Sequence, residues 1–355
     1  MTSLFLISKT LLQPVSYSGL RTISRTLSAT TDPISSEELK NASERIDKLA
    51  KSHLKKYRIT AETLPKVLDT SGKNYQIIDA QGFTQTANMY TWVVGSPAKP
   101  FQIASDGTPK LLNSDKELLI KTLAALFYKN MISFGKKISV INEGCDNGDY
   151  LSLLIPFLVN SDTESIRVFL TNGHERKLKL AYRLSESLLP KKGNTFMGYM
   201  NAFFDQLPRD VNSDDFQKLF LFFRLVIVEH PDIVKSFVHK RLQDMKVGDI
   251  AIASFLIPDD LATEAMKHYG LSPQALSRNG DRLYIKPIPP SIQKKLLEKG
   301  YKGDVSQRTN AAFTESAVQA IIEKGKGKIL CAKTIETKTD EDKLIRVSGT
   351  IFQKM

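Results

Sequence analysis

The chain has 355 residues, 41% hydrophobic and 25% charged, with a formal net charge of +12. That balance belongs to a globular protein, and the lack of any run of eighteen apolar residues excludes a transmembrane helix. Two distant cysteines, Cys145 and Cys331, and five scattered histidines give neither a disulfide framework nor metal-type spacing.

Residues 1–31 carry Lys9, Arg21 and Arg25, many Ser and Thr, and no acid before Asp32. Such a segment has the composition of a mitochondrial transit peptide, and Arg25-Thr26-Leu27-Ser28 looks like a processing site. The expected location is mitochondrial, with a polar tail on a cytoplasmic protein as the alternative. The basic excess in the rest of the chain suits RNA, DNA or anionic lipid equally. Its lysines are not interleaved with aromatics, so base stacking gains no support.

Ser35 with Glu38 forms a capping-box pattern, followed by an apolar stripe through Leu39, Ala42, Ile46, Leu49, Ala50, Leu54 and Tyr57. A helix packed on a core is expected, with Lys48, Lys51, Lys55, Lys56 and Arg58 on its solvated face. Residues 75–104, which hold Trp92, read as short strands broken by Gly and Pro. A second helix is expected from Ser114 to about Met131. Residues 32–112 thus read as an N-terminal helical and small β extension, and 113–355 as the main domain.

Within that domain KKISVINE, SIRVFLTN, NTFMGYMN, an apolar run ending near Val228-Glu229-His230, and GDIAIASF read as strands. Helices are expected between them, through DYLSLLIPFLV, ERKLKLAYRLSESLL and DIVKSFVHKRLQDM. This alternation predicts an α/β protein with a mostly parallel sheet covered on both faces. Residues 258–292, rich in Pro, read as a lid-like insert, and IQKKLLEKG as a helix after it. KILCAKTIE and KLIRVSGTIF predict an antiparallel C-terminal hairpin.

Four local motifs stand in order on this frame. VINEGCDNGDYL is a glycine turn between a buried strand and a helix, and LTNGHERKLKLA ends the second strand. YMNAFFDQLP follows the third, and MKVGDIAIAS turns into the fifth. Over roughly residues 110–355 they resemble the class I S-adenosylmethionine-dependent methyltransferases, with Gly144, Cys145, Gly148 and Leu151 matching that family's GCGxGxxL-like signature. The resemblance implies a Rossmann-like fold with a seven-stranded sheet. It also implies S-adenosyl-L-methionine as cofactor, held by Asn142, Glu143, Gly144, Cys145, Asp146, Gly148, Asn172, Gly173, Asn201, Ala202 and Glu229. The acceptor substrate would meet the end of the fourth strand, where His230 or Glu229 is the candidate proton acceptor.

Three departures bear on chemistry. Asp146 and Asn147 replace small residues of the turn, although both types tolerate left-handed backbone. Asn172 replaces an acid that would take two ribose hydroxyls, a loss of roughly tenfold in affinity. The carboxylates of Glu143 and Asp146 are expected to repel a pyrophosphate but not a sulfonium, which disfavours a dinucleotide-dependent oxidoreductase. The leading expectation is a methyltransferase for an unknown acceptor. The alternative is a catalytically inactive methyltransferase-like binding or assembly factor for RNA or a protein complex.

Overall fold

The computed structural model describes residues 32–71, 101–112, 114–161, 163–172, 175–190, 195–199, 215–223, 239–256, 276–279, 282–285, 311–313, 315–338 and 344–355. The transit-peptide segment, Trp92, the 292–300 helix, and Gly173, Asn201, Ala202, Glu229 and His230 lie outside them.

Helix α1 (Ser36–Lys56) starts at the expected capping box: Glu38 N donates to Ser35 Oγ at 3.2 Å and Ser35 N to Glu38 Oε2 at 2.8 Å. Its stripe of Ile46, Ala50 and Leu54 is buried in the main core. After the short helix α2 (Leu64–Val67) come a two-stranded ribbon, β1 (Gln102–Ile103) and β2 (Pro109–Lys110), and helix α3 (Ser114–Tyr128). The alternating part then runs β3 (Lys137–Glu143), α4 (Leu151–Val159), β4 (Ser165–Thr171), α5 (Glu175–Leu188), β5 (Thr195–Tyr199), β6 (Gln217–Phe222) and β7 (Ile250–Leu256). Strands β8 (Leu276–Asn279), β9 (Arg282–Ile285) and β10 (Ala311–Phe313) form a separate antiparallel sheet. Helix α6 (Glu315–Lys324) leads into the hairpin β11 (Gly327–Lys338) and β12 (Leu344–Lys354).

Seven strands form one sheet in the order β11-β12-β7-β6-β3-β4-β5. The five from β3 to β7 are parallel, and β12 joins β7 antiparallel with β11 outside it. This is the Rossmann-like sheet with an antiparallel C-terminal hairpin that the motifs implied. Successive residues of a strand face opposite sides. Ile138 and Val140 join Val168, Leu219 and Ile252 in the core beneath α1, α3, α4 and α5. Ile141 joins Phe169, Phe220 and Ala251 in a second core, capped by Leu242, Met245, Val318 and Ile322. Burial on both faces explains why these strands are rich in apolar residues without a strict alternation of apolar and polar positions.

The chain moves outward from β3 through β4 to β5, then crosses back to β6 and β7 on the other side of β3. The carboxyl end of β3 is therefore a topological switch point, where the flanking connections diverge and leave a crevice.

Strand β6 spans Gln217–Phe222 among the described residues, and the expected strand end at Val228-Glu229-His230 lies outside them. The 258–292 insert contributes strands β8 and β9. Helix α6 was not foreseen.

Candidate cofactor crevice

The turn after β3 is clamped to the next strand, since Gly144 N and Cys145 N both donate to Thr171 O, at 3.0 and 2.9 Å. Gly144, Asp146 and Gly148 have φ of 76°, 52° and 73°. Alternating left-handed residues fold the chain back tightly, and Asp is among the few side chains that accept that geometry. A Cβ on Gly148 would lie 2.6 Å from Ala181 Cβ and 2.9 Å from Ala181 Cα. Gly148 thus sets how closely α5 approaches the turn.

Cys145 is buried with its thiol against the Asn172 side chain, and burial pushes its pKa far up. Burial also pushes Cys331 up to about 12. Neither thiol is exposed or ionised near neutrality, so both act as small apolar groups. The native protein should give no thiol signal with Ellman's reagent and two equivalents after unfolding; rapid reaction of the native protein would contradict this packing.

Asn142 and Glu143 leave β3 on opposite faces. Glu143 is 1% exposed and meets Arg241, itself 2% exposed, in a two-pronged pair with Nε–Oε1 at 2.5 Å and Nη2–Oε2 at 3.1 Å. Arg241 Nη1 also donates to Asp244 Oδ2 at 2.7 Å. Asp146 takes one lysine on each oxygen, Lys177 at 2.6 Å and Lys116 at 3.2 Å. Burial would raise the Asp146 pKa, but these two cations outweigh it and hold the carboxyl below the usual range. The Asp149 carboxylate accepts from Leu112 N at 2.6 Å and from Tyr150 N at 3.0 Å, and burial raises its pKa. The expected repulsion of a phosphate therefore loses its basis, because both Glu143 and Asp146 are already neutralised by the protein.

Asn142 is fully buried, with Nδ2 donating to Tyr150 Oη and Oδ1 without a partner among the described residues. The Tyr150 ring packs on Phe223, which directly follows β6, at 5.1 Å between centroids. The Lys116 ammonium lies 5.6 Å from the Tyr150 centroid and 5.9 Å from that of Phe223. Asn142, Tyr150, Phe223 and Lys116 thus pack together, buried, at the carboxyl end of β3, with Asp146 and Lys177 beside them.

Of the residues expected here, Asn142, Gly144, Cys145, Asp146, Gly148 and Asn172 gather at this end of the sheet, while Glu143 turns to the opposite face. Lys116, Lys177, Tyr150, Phe223 and Arg241 were missed. Lys116 had a signal, since it shares the apolar face of α3 with Leu119, Ile120 and Leu123. A lysine on that stripe is buried and needs a partner.

The strand order, the left-handed turn at the switch point and the terminal hairpin define a Rossmann-like α/β fold with an antiparallel C-terminal hairpin. No protein-family model matches the chain, and no curated protein matches it in sequence. Among solved structures it is similar to an S-adenosylmethionine-dependent methyltransferase of Methanosarcina mazei, at 14% identity over 64% of this chain and 97% of that one, with a TM-score of 0.43. A methyltransferase of Anabaena variabilis is 9% identical over 80% and 99%, TM-score 0.41. One from Clostridium acetobutylicum is 12% identical over 68% and 91%, TM-score 0.38. Likenesses this distant carry nothing about activity, and the fold assignment rests on the chain's own topology.

Proposed function

We propose that the crevice binds S-adenosyl-L-methionine and that the chain is a methyltransferase acting on an unknown acceptor. The observation that carries this is the unpaired Oδ1 of Asn142, buried at the switch point beside a turn of three left-handed residues. A buried acceptor without a donor costs about 1–3 kcal/mol, and the ammonium of the cofactor's methionine end would satisfy it. Gly144 to Gly148 would then hold the cofactor along their backbone, with Asn172 and Gly173 toward the ribose and Asn201 and Ala202 toward adenine. The bound cofactor supplies an electrophilic methyl group. The chain's own work would be to orient the acceptor, with His230 or Glu229 taking its proton.

Calorimetry with S-adenosyl-L-methionine and S-adenosylhomocysteine tests this. Asn142→Ala should weaken both about 10- to 100-fold, the worth of a hydrogen bond to a charged group. Silence at millimolar ligand in the wild-type protein would remove the cofactor. The second reading, a non-catalytic binding or assembly factor, is favoured by the Lys116 ammonium in the crevice. If RNA is its partner, filter retention of RNA should fall steeply with salt. No retention at low salt would leave a protein complex as the only partner of that reading.

A further inference from the structure

We infer that the amino edge of the sheet is a docking surface for an anionic phospholipid membrane. Val247 and Met355 form its apolar tip, and lysines stand on the same three turns. This surface lies away from the crevice, and its assignment does not rest on the cofactor reading above.

Backbone bonds gather the three turns. Gly248, at a φ of 91°, closes the turn before β7 and donates its N–H to Lys354 O at 3.0 Å. Lys354 N donates to Asp249 O at 2.9 Å, and Met355 N to Lys326 O at 3.0 Å. Residues 245–249, 323–328 and 353–355 thus make one surface at the start of β7 and β11 and the end of β12. Asp249 is buried beneath it, with its carboxylate accepting from Lys218 N at 2.7 Å and Lys246 N at 2.8 Å. Strand β7 has seven residues, so at about 3.3 Å each this edge lies about 20 Å from the carboxyl end of the sheet.

Three large apolar side chains are exposed among the described residues, and two of them stand here, Val247 at 79% and Met355 at 60%. Lys246, Lys324, Lys326 and Lys328 are exposed on the same turns, and Lys354 is partly exposed. Set against Glu323 and the carboxyl group of Met355, five lysines leave the edge basic. An anionic bilayer matches both properties, since ammonium groups reach its phosphates while apolar side chains enter the acyl boundary. Single-stranded nucleic acid would call for aromatic rings to stack on, and these three turns contain none. A protein partner fits less well, because lysine is depleted from such interfaces.

Cosedimentation of the full chain tests this, with vesicles of phosphatidylcholine alone or mixed equally with phosphatidylserine. Wild type should partition onto the mixed vesicles more strongly than onto the neutral ones. Changing Lys324→Gln, Lys326→Asn and Lys328→Gln together should weaken partitioning onto the mixed vesicles about 100-fold, at about fivefold per lysine. Asn is chosen at 326 because it accepts the φ of 59° there. Val247→Ser, which leaves the charge unchanged, should weaken it about three- to tenfold through lost apolar contact. Lys48→Gln, Lys55→Gln and Lys56→Gln remove the same charge from the exposed side of α1 and should stay close to wild type. Residues 1–31 are common to all these proteins, so their basic side chains cancel in the comparison. Equal losses in the two triple variants, no loss in the edge triple, or no loss in Val247→Ser would overturn the assignment. So would RNA retention that the edge triple alone loses while all the proteins bind vesicles equally, which would assign the edge to nucleic acid.

Discussion

Arg241→Ala should lower the unfolding free energy by about 3–5 kcal/mol, the cost of leaving one member of a buried ion pair without its partner. Glu143 is 1% exposed and sits at the end of β3, so water cannot replace the guanidinium without opening the sheet face. The pair joins β3 to the helical residues 239–244, which carry Leu242 into the second core. Breaking it therefore weakens a packing contact together with an electrostatic one. Arg241→Lys should recover only part of the loss, because an ammonium cannot reproduce the two parallel bonds of the fork. The double change Arg241→Met with Glu143→Leu should return close to wild-type stability, since well-packed apolar residues often replace such pairs at no cost. Urea unfolding of the four proteins checks the set. A loss below about 1 kcal/mol in Arg241→Ala would show that Glu143 is hydrated or held by other groups.

What the sequence disclosed follows from how locally each feature is determined. Strands β3, β4 and β7 were legible because residues buried on both faces give apolar-rich runs, closed by Gly, Asn or Asp at the turns. The left-handed turn was legible because Gly144, Asp146 and Gly148 are residue types that accept positive φ. The end of the run KLFLFFRLVIVE was not legible, because it contains no breaker. Helix α6 was missed because ten residues between a strand and a hairpin are too short to show a clear helical period.

Charge partners were the least legible. Arg241 is 98 residues from Glu143, and Lys116 is 30 from Asp146. Nothing local in the sequence joins them. Read alone, the two acids form a negative surface that selects against phosphate. Folded, each is paired with cations from distant parts of the chain, and the expected negative field is cancelled. The sign of the site is a tertiary property, while its position on the sheet follows from the topology.

Gly148→Ala carries the second large effect and separates backbone strain from packing. At φ 73° a Cβ costs about 1–2 kcal/mol on conformational grounds alone. The added methyl would also stand 2.6 Å from Ala181 Cβ, 2.9 Å from Ala181 Cα and 3.1 Å from Leu151 Cδ1, and such overpacking costs about 1–3 kcal/mol more. Gly107 and Gly248 serve as controls, because both have positive φ and a methyl added to either would meet nothing within 4 Å. Gly107→Ala and Gly248→Ala should show the conformational part only. Adding Ala181→Gly to Gly148→Ala removes the closest contact but leaves the Ala181 Cα in place, so rescue should be partial and the two positions energetically coupled. Equal losses at Gly107, Gly248 and Gly148 would show that α5 shifts away freely and that the contact with the turn is not tight. A loss confined to Gly148 would mean that this glycine holds the helix against the turn, so that weaker ligand binding in any Gly148 variant reports a displaced α5 before it reports a lost ligand contact.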